Sequence, residues 1–314
     1  MSNSRPRVLF FGMEGVFSVP VLQTLLEHSF DICALVLPAS PLIEKIAPPI
    51  QHREPPHTRR TQLSLLSAHP SLLQLAHSHH IPVWETQHLS HPQTLSILSA
   101  YQPDVLCVAC FSQRIPDALL SLPRLAALNV HPSLLPANRG PVPLFWTFRN
   151  GDPLAGVTIH ALESTLDTGD IFAQTSFLIP DGISYNHLET LAAQQGGRLL
   201  AQTIDQLSSG QALRTPQDAA TSSYHSFPDP EDFIVQAAHW SARHLYNFIQ
   251  GVGRWGGPVL IHTGPYSFSI THALSYSTSL LGEELEGSTD PVFYQDGLAW
   301  IRCLDGWVQI SISS

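Results

Sequence analysis

What most limits the folds open to this chain is the period of its apolar residues, which changes partway along. Near the start, short apolar runs alternate with stretches of helical spacing. Residues 8–11 (Val-Leu-Phe-Phe) form a continuous run closed by Gly12, which reads as a strand buried on both faces. Phe17, Val21, Leu22, Leu25 and Leu26 then recur at helical spacing, with Ser18 placed to cap that helix ahead of Pro20. Residues 32–37 read as a second strand stopped by Pro38, residues 104–109 as a third and 127–130 as a fourth. This alternation predicts an α/β fold: an open, mainly parallel, Rossmann-like sheet with helices on both faces. Ligands of such sheets bind beyond the carboxyl ends of the strands. The run Gly12-Met-Glu-Gly15 is not a dinucleotide fingerprint, and Glu14 would repel a pyrophosphate.

Residues 38–69 interrupt the alternation with Pro41, Pro48, Pro49, Pro55 and Pro56, and carry Lys45, Arg53, Arg59 and Arg60. Insertions of this length are often functional. Residues 185–207 read as one long helix on the stripe Leu188, Leu191, Ala192, Leu199, Leu200 and Ile204. Residues 208–230, rich in Ser, Gln, Asp and Pro, have the composition of a linker. Beyond it a helix is predicted over 237–249, with Trp240, Leu245, Phe248 and Ile249 on its buried side. Short alternating runs follow at 259–262, 266–271, 292–294, 298–303 and 308–312, which predict a small antiparallel barrel or sandwich. The expected organisation is a first domain over 1–207, a linker over 208–230 and a small β domain over 231–314.

A chain of 314 residues can bury two cores. Its formal charge is −10 with only 15 basic residues, which excludes a surface that coats nucleic acid but not a local basic patch. No apolar run approaches the roughly 20 residues of a membrane span. Residues 1–7 hold no apolar segment of signal-peptide length, so a cytoplasmic location is expected. Cys107 and Cys110 form a CxxC, but positions three apart on a strand face opposite ways. No second pair completes a metal site, so both are expected to be reduced core thiols.

The chemistry concentrates in residues 128–136, Leu-Asn-Val-His-Pro-Ser-Leu-Leu-Pro. Asn129 and His131 lie two apart at the end of a strand, which puts both side chains on one face. Pro132 stops the strand there, so one cleft can receive an amide and an imidazole side by side. Thirty-odd residues on, after a strand-like 156–162, Asp167 precedes a turn from which a carboxylate can reach back to His131. An amide donor, an imidazole and a carboxylate are what acyl transfer to an amine requires. Asn129 and protonated His131 can stabilise the oxyanion, while Asp167 orients His131 and manages the amine proton. Each residue also has a duller reading: a turn-forming Asn, a satisfied polar His, an Asp that caps a turn. Spacing alone leaves these two readings level.

Four blocks carry more than spacing: Asn129-Val-His-Pro-Ser-Leu-Leu-Pro136, Arg139-Gly140, Gly156-Val-Thr-Ile-His160 and Leu166-Asp-Thr-Gly-Asp-Ile171. In wording, order and spacing they resemble the signature of the folate-dependent formyltransferases. The resemblance implies the formyltransferase fold, 10-formyltetrahydrofolate as donor, no metal, and Asn129, His131 and Asp167 in the catalytic positions. It places a folate pocket along Phe111, Gln113, Ile115, Leu162 and Leu166. It gives the acceptor substrate Ser133, Arg139 and Gly140.

Residues 11–26, Ile81-Pro-Val83 and the C-terminal stretch from Trp240 to Pro258 are similar to the branch of the family that formylates methionyl-tRNA. That likeness implies an OB-like barrel at the C-terminus, with Arg59 and Arg60 against RNA phosphates, contacts that position without reading sequence. The insertion at 38–69 has few glycines, and residues 110–116 read Cys-Phe-Ser-Gln-Arg-Ile-Pro; both depart from that branch. The acceptor therefore stays open between methionyl initiator tRNA and a small amine such as a nucleotide-linked amino sugar. Hydrolysis of the donor, or binding without catalysis, are the remaining readings. A monomer with no membrane partner is expected.

Overall fold

The structure, a computed structural model, describes residues 5–39, 48–54, 71–279, 290–295 and 297–311. Its elements in chain order begin with β1 (Arg7–Gly12), α1 (Ser18–Glu27), β2 (Asp31–Pro38), β3 (Ile50–His52), α2 (Leu72–Ser78), β4 (Val83–Thr86) and α3 (Pro92–Ser99). Then come β5 (Val105–Ala109), α4 (Asp117–Leu120), β6 (Ala126–His131), α5 (Pro143–Asn150), β7 (Leu154–Ala161), β8 (Ile171–Leu178) and α6 (Tyr185–Ser208). The last are β9 (Ile234–Gln236), α7 (Ala242–Val252), β10 (Val259–Thr263), β11 (Tyr266–Ile270), β12 (Ser275–Ser277), β13 (Val292–Gln295), β14 (Leu298–Arg302) and β15 (Trp307–Ser311). Contacts divide the chain into two compact units. One comprises residues 1–139, 156–176 and 189–223; the other comprises 140–155, 177–188 and 224–314.

An eight-stranded sheet in the order β3-β4-β2-β1-β5-β6-β7-β8 is the main feature. Pairs β1–β2, β1–β5, β2–β4 and β5–β6 are parallel, as the alternation predicts. The pairs β3–β4 and β6–β7 are antiparallel. Val8, Leu9, Phe10 and Phe11 are wholly buried, which explains the unbroken apolar run of a central strand. Ser18 does not cap α1. Its hydroxyl donates to the Ala109 carbonyl and accepts from the Met13 amide, tying the turn after β1 to the end of β5. Glu14 takes a capping role elsewhere: its carboxylate accepts from the amides of Leu72 and Leu73 at the start of α2, where an acidic group is favoured.

Cys107 is fully buried, but Cys110 is exposed and left-handed (φ 62°), one residue past β5, so only one of the pair is a core thiol. Among the described residues no helix is long and apolar enough to cross a membrane.

In the second unit, α7 starts at Ala242, not 237. The Ser241 hydroxyl accepts from the His244 amide and caps it, while Ala237–His239 is a separate 3-10 turn. Phe145 of α5 is wholly buried among Trp146, Phe233, Phe248 and Trp255. A Cβ on Gly251 would meet the Phe148 ring at 2.6 Å, so glycine lets α5 and α7 approach. The expected small β domain is present, with two sheets among the described residues, β11-β10-β9 and β12-β15-β14-β13. The β9–β10 pair is parallel. The reason is that α7 lies between those strands, and a helical crossover returns the chain in the same direction.

Candidate active site

The site grows from one register. Strand β6 ends at His131, and in its antiparallel pairing with β7 Asn129 stands opposite His160 and His131 opposite Thr158. Residues directly opposite share a face of the sheet. Asn129, His131 and His160 therefore face one way. The turn after β7 brings Asp167 to the same face with φ 56°, a left-handed conformation that aspartate tolerates better than most residues. Gly169 makes that turn possible, since a Cβ there would lie 2.0 Å from the Ala161 carbonyl oxygen.

Three side chains converge on one oxygen. Asp167 Oδ1 lies 3.4 Å from Asn129 Nδ2, 3.6 Å from His131 Nδ1 and 3.6 Å from His160 Nε2. Asn129 Nδ2 is also 3.1 Å from His160 Nε2. His131, His160 and Asp167 are all at least 95 % buried, so their charges are poorly screened.

Carbonyl partners assign the ring tautomers, because a carbonyl only accepts. His131 Nε2 donates to the Asn138 carbonyl at 3.0 Å, and His160 Nδ1 donates to the Ala161 carbonyl at 2.8 Å. In the neutral rings, His131 Nδ1 and His160 Nε2 thus carry lone pairs. Asn129 can donate to the latter. The former faces the Asp167 carboxylate, which leaves a slot for one proton between His131 and Asp167. Burial pushes the His131 pKa below its ordinary value, against the opposing pull of Asp167.

The loop after β6 is braced from several sides. The Ser133 hydroxyl donates to the Ala137 carbonyl, Thr158 donates to the Ser133 carbonyl, and Gln174 donates to the Leu135 carbonyl. Ser133, an expected substrate residue, is 2 % exposed, and its hydroxyl holds the loop through the Ala137 carbonyl. Arg139, expected at the substrate too, directs Nε and Nη2 to Gln217 Oε1 at 3.1 and 2.7 Å. Gly140 has φ 118°, and a Cβ there would lie 1.9 Å from the His225 carbonyl oxygen, so it serves close packing.

Of the expected folate positions, Phe111, Ile115 and Leu162 share one apolar cluster with Leu9, Phe11 and Val108. Gln113 donates to the Thr86 carbonyl at 2.9 Å. Leu166 is 54 % exposed and stands outside that cluster. Arg59 and Arg60 lie outside the described residues.

Two residues escape the sequence reading. His160 stands in a recognised block, but its role depends on strand register. Gln217 lies in the polar segment after α6 and carries no signal of its own; its Nε2 donates to the carbonyls of Asp167 and Gly169 at 2.9 and 2.8 Å.

Residues 58–204 match the formyl transferase family. A methionyl-tRNA formyltransferase of Citrifermentans bemidjiense is 31 % identical over 253 residues, covering 80 % of this chain and 73 % of that protein. The chain belongs to the formyltransferase family. That family uses a formyl-tetrahydrofolate donor. Two solved formyltransferases share the fold. The sugar 3N-formyl transferase WlaRD matches 98 % of this chain and 97 % of its own at a TM-score of 0.63 and 17 % identity. A methionyl-tRNA formyltransferase from Clostridium thermocellum matches 86 % of this chain and 93 % of its own at 0.52 and 13 %. Three of the four blocks, 129–136, 156–160 and 166–171, supply the Asn129, His131, His160 and Asp167 side chains that meet at Asp167 Oδ1.

Proposed function

We propose that this formyltransferase moves a formyl group from 10-formyltetrahydrofolate to the amino group of methionyl-tRNA, and that Asn129, His131 and Asp167 carry the step. The supporting observation is the convergence on Asp167 Oδ1 just described. Relatives named methionyl-tRNA formyltransferase at about 31 % identity support the acceptor.

The donor supplies an electrophilic formyl carbon on a nitrogen that leaves. The 3.4 Å contact between Asn129 Nδ2 and Asp167 is at the long limit for a hydrogen bond, so that N–H is available to a better acceptor. Asn129 turns it onto the formyl oxygen as negative charge develops there. His131, held neutral by burial, takes the proton the amine loses as the new C–N bond forms, into the slot facing Asp167. The resulting imidazolium lies against the carboxylate and helps stabilise the oxyanion. The same slot returns its proton to the folate nitrogen as the old C–N bond breaks, so protons balance over the cycle.

Phe111, Ile115 and Leu162 offer an apolar wall for the folate ring. Gln87, next in sequence to the Thr86 carbonyl that Gln113 binds, has a buried Nε2 with no partner among the described residues. An apolar wall with amide donors suits a pterin, which presents two flat faces and a polar edge.

The test offers purified protein 10-formyltetrahydrofolate with charged initiator tRNA, an amino-sugar nucleotide, or water alone. Formylation of the tRNA, weakening steeply with salt, is expected. Transfer only to the sugar, indifferent to salt, replaces the acceptor and keeps the chemistry.

A further inference from the structure

The polar stretch after α6 runs along the catalytic turn. Thr215 and Ile171 exchange both backbone hydrogen bonds, at 2.9 and 2.8 Å. Eight residues on, the Ser223 amide donates to the Pro136 carbonyl, its carbonyl accepts from the Arg139 amide, and its hydroxyl accepts from the Asn138 amide. Between these two pins stands Gln217.

Both ends of the Gln217 amide are fixed by chemistry. Nε2 faces two carbonyls, which only accept, and Oε1 faces a guanidinium, which only donates. A flipped amide would set oxygen against oxygen and N–H against N–H. Glutamate in its place keeps the arginine end and loses both donors; methionine loses both ends. One of the two carbonyls belongs to Asp167, whose left-handed backbone needs its surroundings to hold it. The other belongs to Gly169, which closes the same turn.

We infer that Gln217 is a positioning residue: it clamps the 167–169 turn between Arg139 and the strand-borne site, and so sets where the Asp167 carboxylate meets His131 and Asn129. The inference rests on the transferase reading for its effect on rate, but the geometry it predicts can be read without catalysis.

The test uses the full chain with Gln217→Met and Gln217→Glu. Formyl transfer is measured as kcat and KM, and the His131 imidazole is titrated by NMR in the wild type and in Gln217→Met, which adds no charge. The expected result is a fall in kcat of about tenfold or more in both variants, because a misplacement near 1 Å can cost up to about a hundredfold. KM for the donor should stay within about threefold. A brace of the fold alone would lower the melting temperature and leave kcat. The charged or titratable groups facing His131 are Asp167, which favours its charged form, and His160, which opposes it. Loosening Asp167 therefore moves the His131 midpoint down. An unmoved midpoint in folded Gln217→Met overturns the positioning claim whatever the activity. A lowered midpoint in a protein that formylates no amine upholds the claim and removes the transferase reading. Should Gln217→Met unfold, Arg139→Lys, which replaces the two-pronged contact on Oε1 by a point charge, carries the same test with a smaller shift.

Discussion

Two segments build this site in opposite ways. Residues 126–161 place Asn129, His131 and His160 through strand register, so every position follows from a period of two and one pairing. Residues 211–223 place Gln217 and Ser223 through individual hydrogen bonds on an irregular chain, with one isolated bridge at Thr215. On the proposed reading the first segment supplies groups for the chemistry, and the second hydrogen-bonds the turn that carries Asp167. On that reading the reactive atoms sit on rigid strands, while their placement depends on a polar segment whose only regular pieces are one bridge and a 3-10 turn at Ala219–Thr221.

The largest expected effects separate the two segments most sharply. Asp167→Asn keeps the shape but removes the charge and the proton slot on which three side chains converge. Transfer should fall by about 10³ or more while the unfolding midpoint stays close to wild type. His131→Ala should do the same. Turnover within tenfold of wild type in either variant breaks the assignment of chemistry to this cluster. Next comes Gly169→Ala, whose Cβ would press on the Ala161 carbonyl. It should cost about 1–3 kcal/mol of stability in urea unfolding, as overpacking does, with a loss of activity between that of Asp167→Asn and that of a strap variant. Third is Ser223→Ala, which removes the acceptor for the Asn138 amide and should cost about 1 kcal/mol. Activity should fall only a few-fold. A loss as deep as that of His131→Ala would make the strap part of the chemistry and erase the distinction.

Legibility follows the same division. Buried parallel strands announce themselves as unbroken apolar runs, so β1, β2, β5 and β6 lie close to where the pattern places them. The pair Asn129 and His131 was readable because a strand's faces alternate and Pro132 marks its end. His160 was not, since its place opposite Asn129 depends on which residue of β7 pairs with which of β6. Ser18 misled because a small hydroxyl residue before Pro20 suits a cap, whereas here the same hydroxyl finds the end of β5. The small β domain was legible from alternating runs, but the parallel β9–β10 pair was not, because the helix between those strands sets their direction and local alternation cannot show it. Gln217 was the hardest to find. A polar segment without period looks like a tether, and nothing local distinguishes a glutamine that meets water from one that clamps two carbonyls.

The smallest expected effect concerns pH, and it tests whether burial treats histidines in the two units alike. His244 lies under Trp240, ring centroids 3.8 Å apart, and shares Nε2 with the carbonyls of Phe148 and Arg149. Burial pushes its pKa below the usual histidine range, as it does for His131 and His225. An unfolded histidine titrates near pH 6.5, so below that the unfolded chain binds more protons than the folded one and stability falls with acid. Asp104 and Asp181 are held below the ordinary carboxylate range by hydrogen bonds and arginines, which prevail over burial. Their contributions persist until roughly pH 4, where unfolded carboxylates begin to protonate. Between about pH 6.5 and 5 the histidines pull stability down with acid, while Glu189, whose carboxyl burial pushes up to about 7, pulls the other way. With Glu189 replaced by Gln to remove that opposing titration, the melting temperature should drop by a few degrees across the window. His244→Gln, which donates to the same carbonyls without titrating, should flatten the curve in part, and His131→Ala should flatten it further. A slope unchanged in both variants would mean that burial of these two rings does not govern the acid limb, and that the strand-borne site and the second unit tolerate protonation equally.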